Sequence, residues 1–553
     1  DAKWNGHKES INTNYKVGSL AVDGANNTQT QNNQPTGLIN SNSDENYNNS
    51  MFRQKLDVTY QTKLDTSANL KISVDGTVKN SKTRSNYVSQ SFRGDSTAPN
   101  GNSRSVTNDV DQQVVNASAL YTKKFKKPRR TFSLNVSEAA NNSDAKGFLN
   151  SATNFYNATG SLDSVQHTDQ YKTNHTTSSI FNTNATYTEP ITKSIALSLN
   201  YNLGVTNSSA DRKSFNQSAS GVYNLLDKTY SNFYKLNQLS NQGGAVFSYK
   251  GAKSNATFGT KASAVNFEQI DEYTGISYKR NFLNWYPQAM YQYRFSQQKS
   301  FSINYYGNTS QPSLNQIQPI RINTDPLNIT LGNPDLRPSF SNRISAYFNS
   351  YKVLTDQSIW FYGSYNFTSN AIVNNTTTDY STGKSTYQSI NLTNRTPSGF
   401  NTNLSLDRKI KGIGINVGLS LSATGNVSYN YVNNAMNTTK SYNYSTSLSL
   451  SKYKTKKYDF RIYGGPNYII GGSSLQPDIN NNGNGFNGGG YFNFYLPGKI
   501  QLSSDANYNY QGKTKSFDQT FSTFILNSSI SKAFFKQENL KFSISGNDLL
   551  NQN

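Results

Sequence analysis

The sequence predicts an all-β protein: a large antiparallel transmembrane β-barrel of about 22 strands, with short periplasmic turns and long extracellular loops. Three observations carry that expectation. Apolar and polar residues alternate with period two through most of the chain. The polar face of the alternation is Ser, Asn, Gly and Thr, where a strand facing bulk water would carry Lys and Glu. Short charged turns alternate with longer neutral segments, the arrangement of a barrel with one plain rim and one elaborated rim.

Composition excludes the ordinary soluble classes. Charged residues are 15% and hydrophobic residues 34%, against about 25% and 45–50% in globular domains. The 38 Tyr and 30 Phe argue against a disordered chain, in which aromatic residues are depleted. They suit two faces that meet lipid and a watery lumen, with aromatic belts at the boundary. There are no cysteines, so neither disulfides nor thiolate metal sites contribute. No apolar run approaches the ~18 residues of a membrane helix, so any crossing is by strands. The net charge of +21 is scattered through turns rather than gathered on a helix or groove. That scatter favours lipid and lipopolysaccharide phosphates as partners over nucleic acid.

Along the chain, Leu70, Ile72 and Val74 alternate with Lys71, Ser73 and Asp75. Ile195, Leu197, Leu199, Tyr201 and Leu203 alternate with Ala196, Ser198, Asn200 and Asn202. Ile413 to Leu421 and Ile500 to Tyr508 repeat the pattern, several runs holding for the roughly ten residues a tilted membrane strand needs. Short turns are expected at Lys16–Ser19, Leu64–Asn69, Lys123–Arg130, Thr188–Ser194, Lys250–Asn255 and Ser296–Ser300. Five more follow at Lys352–Ser358, Asp407–Gly412, Lys452–Tyr458, Leu496–Lys499 and Lys532–Asn539. Their mean spacing of about 52 residues leaves room for two strands and one long loop each, and eleven such turns imply about 22 strands. Asn32–Asn49, Gly94–Asn108 and Gly471–Gly490 are read as long loops, as is Tyr305–Arg321. We read residues 1–553 as a single barrel domain and, since the chain opens on Asp1, as a mature or trimmed segment.

The stretch Gly332-Asn333-Pro334-Asp335-Leu336-Arg337-Pro338 ends one of these loops. Pro338 can open a strand but cannot sit inside one. About twenty residues upstream stands Ser310-Gln311-Pro312-Ser313-Leu314, and near the end Gly546-Asn547-Asp548-Leu549-Leu550-Asn551. Together these resemble the barrel signatures of TonB-dependent outer-membrane receptors, with Ser339 where the family usually has an acidic residue. The resemblance takes Gly332, Asn333, Pro334, Leu336, Arg337 and Pro338 as family signature residues. It implies a barrel in a gram-negative outer membrane, importing a scarce ligand with energy passed from the inner membrane. Its implied partners are a plug domain and an energy-coupling protein, neither of which is recognisable in these residues. The alternative is a structural barrel, a subunit of a larger outer-membrane complex for secretion, assembly or surface attachment, working with other subunits and surface lipoproteins.

No catalytic constellation is found, and no cofactor is expected. His7, His167 and His175 lack metal-ligand spacing, and Gly512-Lys513-Thr514 lacks the upstream glycine of a phosphate loop. Asp478, Asn480, Asn482 and Gly483 match the first half of a calcium loop, but Gly489 stands where the bidentate Glu belongs. A neutral surface loop is the plainer reading. The ligand-binding residues cannot be named from sequence, because they converge only in three dimensions.

Overall fold

The computed structural model describes every residue except 1, 7, 35–36, 318–324, 326, 517, 536 and 552–553. Among the described residues there are 27 strands in one sheet and a single four-residue α-helix, α1 (Leu314–Ile317). Five strands are short additions: β9 (Val222–Leu226), β14 (Asn328–Leu331), β17 (Ile372–Thr378), β18 (Ser385–Asn391) and β23 (Gln476–Asn480). The other 22 form an antiparallel meander in which each strand pairs with the next, from β1 (Ala2–Asn5) on β2 (Glu9–Gln34) to β26 (Phe521–Phe534) on β27 (Leu540–Gly546).

Ten of the eleven expected short turns join successive strands on one rim. The exception is Lys16–Ser19, which lies inside β2 and pairs without a break, Lys16 opposite Lys55 and Ser19 opposite Phe52. The turn on that rim comes earlier, around Gly6 and Lys8, between β1 and β2. A charged residue beside Gly18 gives the composition of a turn, but the ladder is satisfied there and the backbone continues.

The expected long loops are corrected in the same direction. Strand β3 covers Gly37–Lys63, β4 Ala68–Arg93, β5 Asn100–Lys124, β6 Thr131–Tyr156, β7 Leu162–Pro190 and β8 Ile195–Ala219. With β2 they are 25 to 29 residues long. At about 3.3 Å per residue and a tilt near 40° such a strand rises roughly 65 Å, against an apolar band of about 25 Å. The segments Asn32–Asn49 and Gly94–Asn108 are therefore mostly ladder, polar because they project past the lipid. Gly471–Gly490 likewise belongs to β22 (Tyr458–Ser473), β23 and β24 (Gly483–Leu496), and Tyr305–Ser310 to β13 (Lys299–Ser310). The wall falls away across β10 (Asn232–Lys250), β11 (Ser254–Asp271) and β12 (Ile276–Ser296). It is low at β13, β15 (Ser339–Lys352), β16 (Gln357–Ser369) and β19 (Ser398–Ile410), each 12 to 14 residues, and low again from β24 to β27.

Burial is inverted relative to a soluble protein. Leu199, Phe258, Leu448 and Ile462 are about half or more exposed, while Asn100, Asn102, Ser151, Thr153 and Gln269 are buried on the opposite face. Apolar residues outward and small polar residues inward is the polarity of a barrel in lipid.

Candidate functional site: a folded cover across the barrel

Two segments leave the low side of the wall and fold together. The first, described at residues 311–317, 325 and 327–338, follows β13. At the start of α1 the Ser313 N–H and hydroxyl both donate to Gln316 Oε1, at 2.9 and 3.1 Å. The Asn333 N–H donates to the Gln316 carbonyl at 2.7 Å, and Asn333 Oδ1 accepts from the Asp335 N–H at 3.0 Å. This turn drives Leu336, 1% exposed, into an apolar cluster with Phe267 of β11 and Ile317 of α1, flanked by Leu236, Phe282 and Ile372. It is the one such cluster among the described residues, and it joins the segment to the inner wall.

The second segment is the β17–β18 hairpin between β16 and β19. Strand β14 adds to it in parallel, Asn328 opposite Ser385 through Leu331 opposite Gln388. The signature run clasps the hairpin's base. Asn333 Nδ2 donates to the Ser389 carbonyl at 2.8 Å and Gln388 Nε2 to the Gly332 carbonyl at 3.1 Å. Asn391 takes the Arg337 N–H at 2.7 Å and returns a bond to the Arg337 carbonyl at 2.9 Å. Asn370 Nδ2 reaches the Pro338 carbonyl at 2.7 Å, and β15 begins at the next residue. Arg280 Nη1 closes the bracket on the Leu336 carbonyl at 2.9 Å. The structure thus brings Gly332, Asn333, Leu336, Arg337 and Pro338 into one clasp, with Pro334 inside its turn, while the Arg337 side chain itself stays exposed.

The hairpin tip, residues 379–384, crosses to the tall wall. Asp379 organises it, accepting from the Ser381 N–H at 2.8 Å, the Ser381 hydroxyl at 2.6 Å and the Thr382 hydroxyl at 2.8 Å. The Ser381 hydroxyl is the main cause holding the Asp379 carboxyl below its ordinary pKa. Gly383 has φ +70°, which favours glycine, and a Cβ there would displace Nδ2 of Asn100. On the wall, Arg93 of β4, 8% exposed, donates from Nε to the Tyr380 carbonyl at 3.2 Å and from Nη2 to the Ser381 carbonyl at 2.7 Å. Asn100 Nδ2 donates to the Thr382 carbonyl at 2.6 Å. Lys384 donates to Gln166 Oε1 at 2.7 Å and lies 4.8 Å over the Phe155 ring; burial there lowers its pKa. Arg104 Nη1 sits 2.9 Å from Asp325 Oδ2, an ion pair whose N–H direction falls short of a hydrogen bond.

The cover therefore spans from the low wall to the tall wall, which it meets where β4 ends and β5 begins. Sequence reasoning found its clasp through the signature run but missed its tip. Asp379, Ser381, Thr382 and Gly383 do give turn chemistry. Nothing local says that the turn docks on Arg93 and Asn100.

The remaining expected residues are not assembled into a site. His7 lies outside the described residues. Nδ1 of His175 pairs with Asp144 Oδ1 at 2.5 Å, and His167 sits elsewhere on β7. In the calcium-like stretch the Asp478 side chain lies outside the described residues. Asn480 Oδ1 accepts from the Asn482 N–H at 3.2 Å and Asn482 Oδ1 from the Gly471 N–H at 2.9 Å, so both oxygens serve the backbone. No group of three or more His, Cys, Asp or Glu that could hold a metal occurs among the described residues. At the C-terminal motif, the Leu549 N–H donates to the Leu526 carbonyl at 2.9 Å and the Asp548 N–H to Asn527 Oδ1 at 2.9 Å, folding it back on β26.

Three solved structures are similar to this chain in fold. The copper transporter OprC shares 8% identity, with 99% of this chain and 82% of that chain covered at a TM-score of 0.52. FpvA of P. aeruginosa, bound to heterologous pyoverdines, shares 12% over 98% and 71% at 0.47. The FrpB iron transporter from Neisseria meningitidis shares 10% over 96% and 81% at 0.45. At these identities the likeness is one of fold. No curated protein sequence matches the chain. A sequence model for the outer membrane protein beta-barrel family matches residues 123–438, more than half of the chain. With that match, the inverted burial and the 22-strand meander, the protein belongs to the outer membrane protein beta-barrel family and resides in the outer membrane.

Proposed function

We propose that the barrel is an outer-membrane receptor that imports a ligand through its lumen, with the cover as the part that yields. The observation that carries this reading is the non-covalent attachment of the cover tip to the tall wall. Arg93 and Asn100 hold it by three side-chain bonds to backbone carbonyls, at 3.2, 2.7 and 2.6 Å. At about 1.5–3 kcal/mol net for each guanidinium bond and about 1 for the amide, these sum to roughly 4–7 kcal/mol, and the exposed Lys384–Gln166 bond adds little. A micromolar ligand supplies about 8 kcal/mol, enough to shift the tip if it favours the displaced state. A purely structural barrel has no need of a cover docked on the opposite wall by specific side-chain contacts alone. The fold shared with a copper transporter agrees with transport. On this reading the further partners are a plug domain and an energy-coupling protein, and the chain performs no catalysis.

The chain has no cysteine, so a cysteine pair at Asn100→Cys and Thr382→Cys gives a clean reversible lock. Oxidation should block growth on one scarce nutrient that depends on this barrel, and reduction should restore it. If gene deletion impairs no nutrient, and mild-detergent pull-down instead returns stoichiometric envelope subunits, the barrel is structural.

A further inference from the structure

We infer a phospholipid-binding groove on the lipid-facing surface, taking one acyl chain and the anionic head group of a periplasmic-leaflet lipid. Cross-strand partners point to one face, so register alone defines the surface. On β22 and β24, Phe460 pairs with Phe492, Ile462 with Gly490, Gly464 with Gly488 and Pro466 with Phe486. The same face continues onto β25 (Ile500–Gln511), where Ser504, Ala506 and Tyr508 oppose Phe492, Gly490 and Gly488. It is the outer face, because Ile462 is 61% and Leu448 60% exposed, while Ser449 and Asn467 are buried on the other.

Along this face the side chains vanish. Gly488, Gly490 and Ala506 make the floor, the Phe486 ring lies over Gly464 and Gly488 at its upper end, and Phe460, Ile462, Phe492, Tyr508 and Phe524 stand around a space of about 680 Å³. The walls are braced: the Phe492 and Phe494 rings lie 4.7 Å apart and those of Phe486 and Tyr508 6.4 Å apart. Adjacent lipid offers an acyl chain no hydrophobic gain over bulk bilayer, so recognition requires shape and charge. A rigid aromatic slot supplies the shape.

Length and charge select the lipid. From the Phe460–Phe492 pair to the Pro466–Phe486 pair is six residues of strand, roughly 20 Å, or about 15 Å of depth after tilt. That is half of a hydrocarbon core of about 30 Å, hence one leaflet. The groove begins two residues above the short-turn rim, which places it in the periplasmic leaflet. At that rim Lys452 pairs with Phe460 and Lys454 with Tyr458 on the same outer face, and Lys532 pairs with Ile500. Lys456 and Lys457 follow in the turn. Phosphate attracted by this cluster would stand directly below the slot.

Native mass spectrometry tests the inference on the chain taken from nanodiscs holding equal phosphatidylglycerol and phosphatidylcholine. The unaltered chain should retain one phosphatidylglycerol at least fivefold over phosphatidylcholine. Ala506→Leu should reduce retention of both by at least fivefold by filling the floor. A Lys452→Gln, Lys454→Gln, Lys532→Gln triple variant changes only rim residues; it should keep a bound lipid while levelling the head-group preference. Heat-modifiable migration in gels checks that each variant is folded. Equal retention of the two lipids by the unaltered chain, or an unchanged preference in the triple variant, overturns the assignment whether or not Ala506→Leu folds. Cross-linking of this face to a co-purified protein also overturns it.

Discussion

The Arg93 guanidinium donates to the carbonyl of Ser381 at 2.7 Å across 288 residues of sequence. Counted along the meander, β4 and β16 stand ten strands apart, so this bond exists only because the sheet curls until opposite walls face each other. The same side chain donates to Tyr380 and to Thr97 Oγ1 at 3.1 Å, which makes it the hub between rim and cover. Arg93→Ala removes both guanidinium bonds to the tip, a cost of roughly 1–3 kcal/mol. A spin label at Thr382 should therefore become several-fold more mobile in Arg93→Ala. Arg93→Lys, which retains charge but not the two-pronged geometry, should fall between. An unchanged spectrum in Arg93→Ala contradicts the latch.

Gly383 and Gly221 offer a matched comparison. Both have left-handed backbone, φ +70° and +75°. A methyl on Gly221 meets nothing within 4 Å, whereas one on Gly383 would strike Asn100 and approach Pro99 Cγ at 3.5 Å. Gly221→Ala should cost only its conformational term of about 1 kcal/mol and leave the cover in place. Gly383→Ala carries that same term and also drives the tip off Asn100. The label at Thr382 should report a loosened cover for Gly383→Ala alone.

Acid should act on the same tip. The folded Asp379 carboxyl titrates below its ordinary value, chiefly because it accepts from the Ser381 hydroxyl. A depressed carboxyl stabilises the fold above its unfolded pKa, near 4, and that contribution is lost as pH falls through the lower folded value. The cover should thus be indifferent between about pH 5 and 8 and loosen below about 4. Asp95, whose carboxyl accepts from Thr97, is lowered too and shares this window. Asp379→Asn separates them: label mobility should be raised already at neutral pH, with a much smaller further rise in acid.

What the sequence disclosed depended on distance. Turns such as Leu64–Asn69 and Lys250–Asn255 are local, since Gly, Asn, Ser and charge over a few residues decide them, and they lie where expected. Lys16–Ser19 misled because a lysine beside Gly18 has the composition of a turn even where the ladder runs on unbroken. Asp44, Glu45 and Asn46 look like a loop and yet pair residue by residue with Asn27, Asn26 and Ala25. The signature run was legible as a loop end, but its role in clasping Asn391 and burying Leu336 was not. The cover tip was illegible for the strongest reason: its partners at Arg93 and Asn100 lie more than 280 residues away.

The two faces of one strand supply the last test. In β20 (Ile415–Val432), Leu419 pairs with Leu406 and Leu448, both exposed to the outside, while Ser420 meets Ser405 across the lumenal face, Oγ to Oγ at 3.3 Å. The residues are adjacent, so strand propensity and depth are shared and only the medium differs. Leu419→Arg places a charge in hydrocarbon and should cost about 2–4 kcal/mol near the midplane, as should Leu199→Arg on β8, where Leu199 is 48% exposed. Ser420→Arg places the same charge in a polar lumen and should cost much less. Urea unfolding in phospholipid vesicles measures all three. If Ser420→Arg proves the most damaging, the inward and outward faces assigned to this strand are reversed.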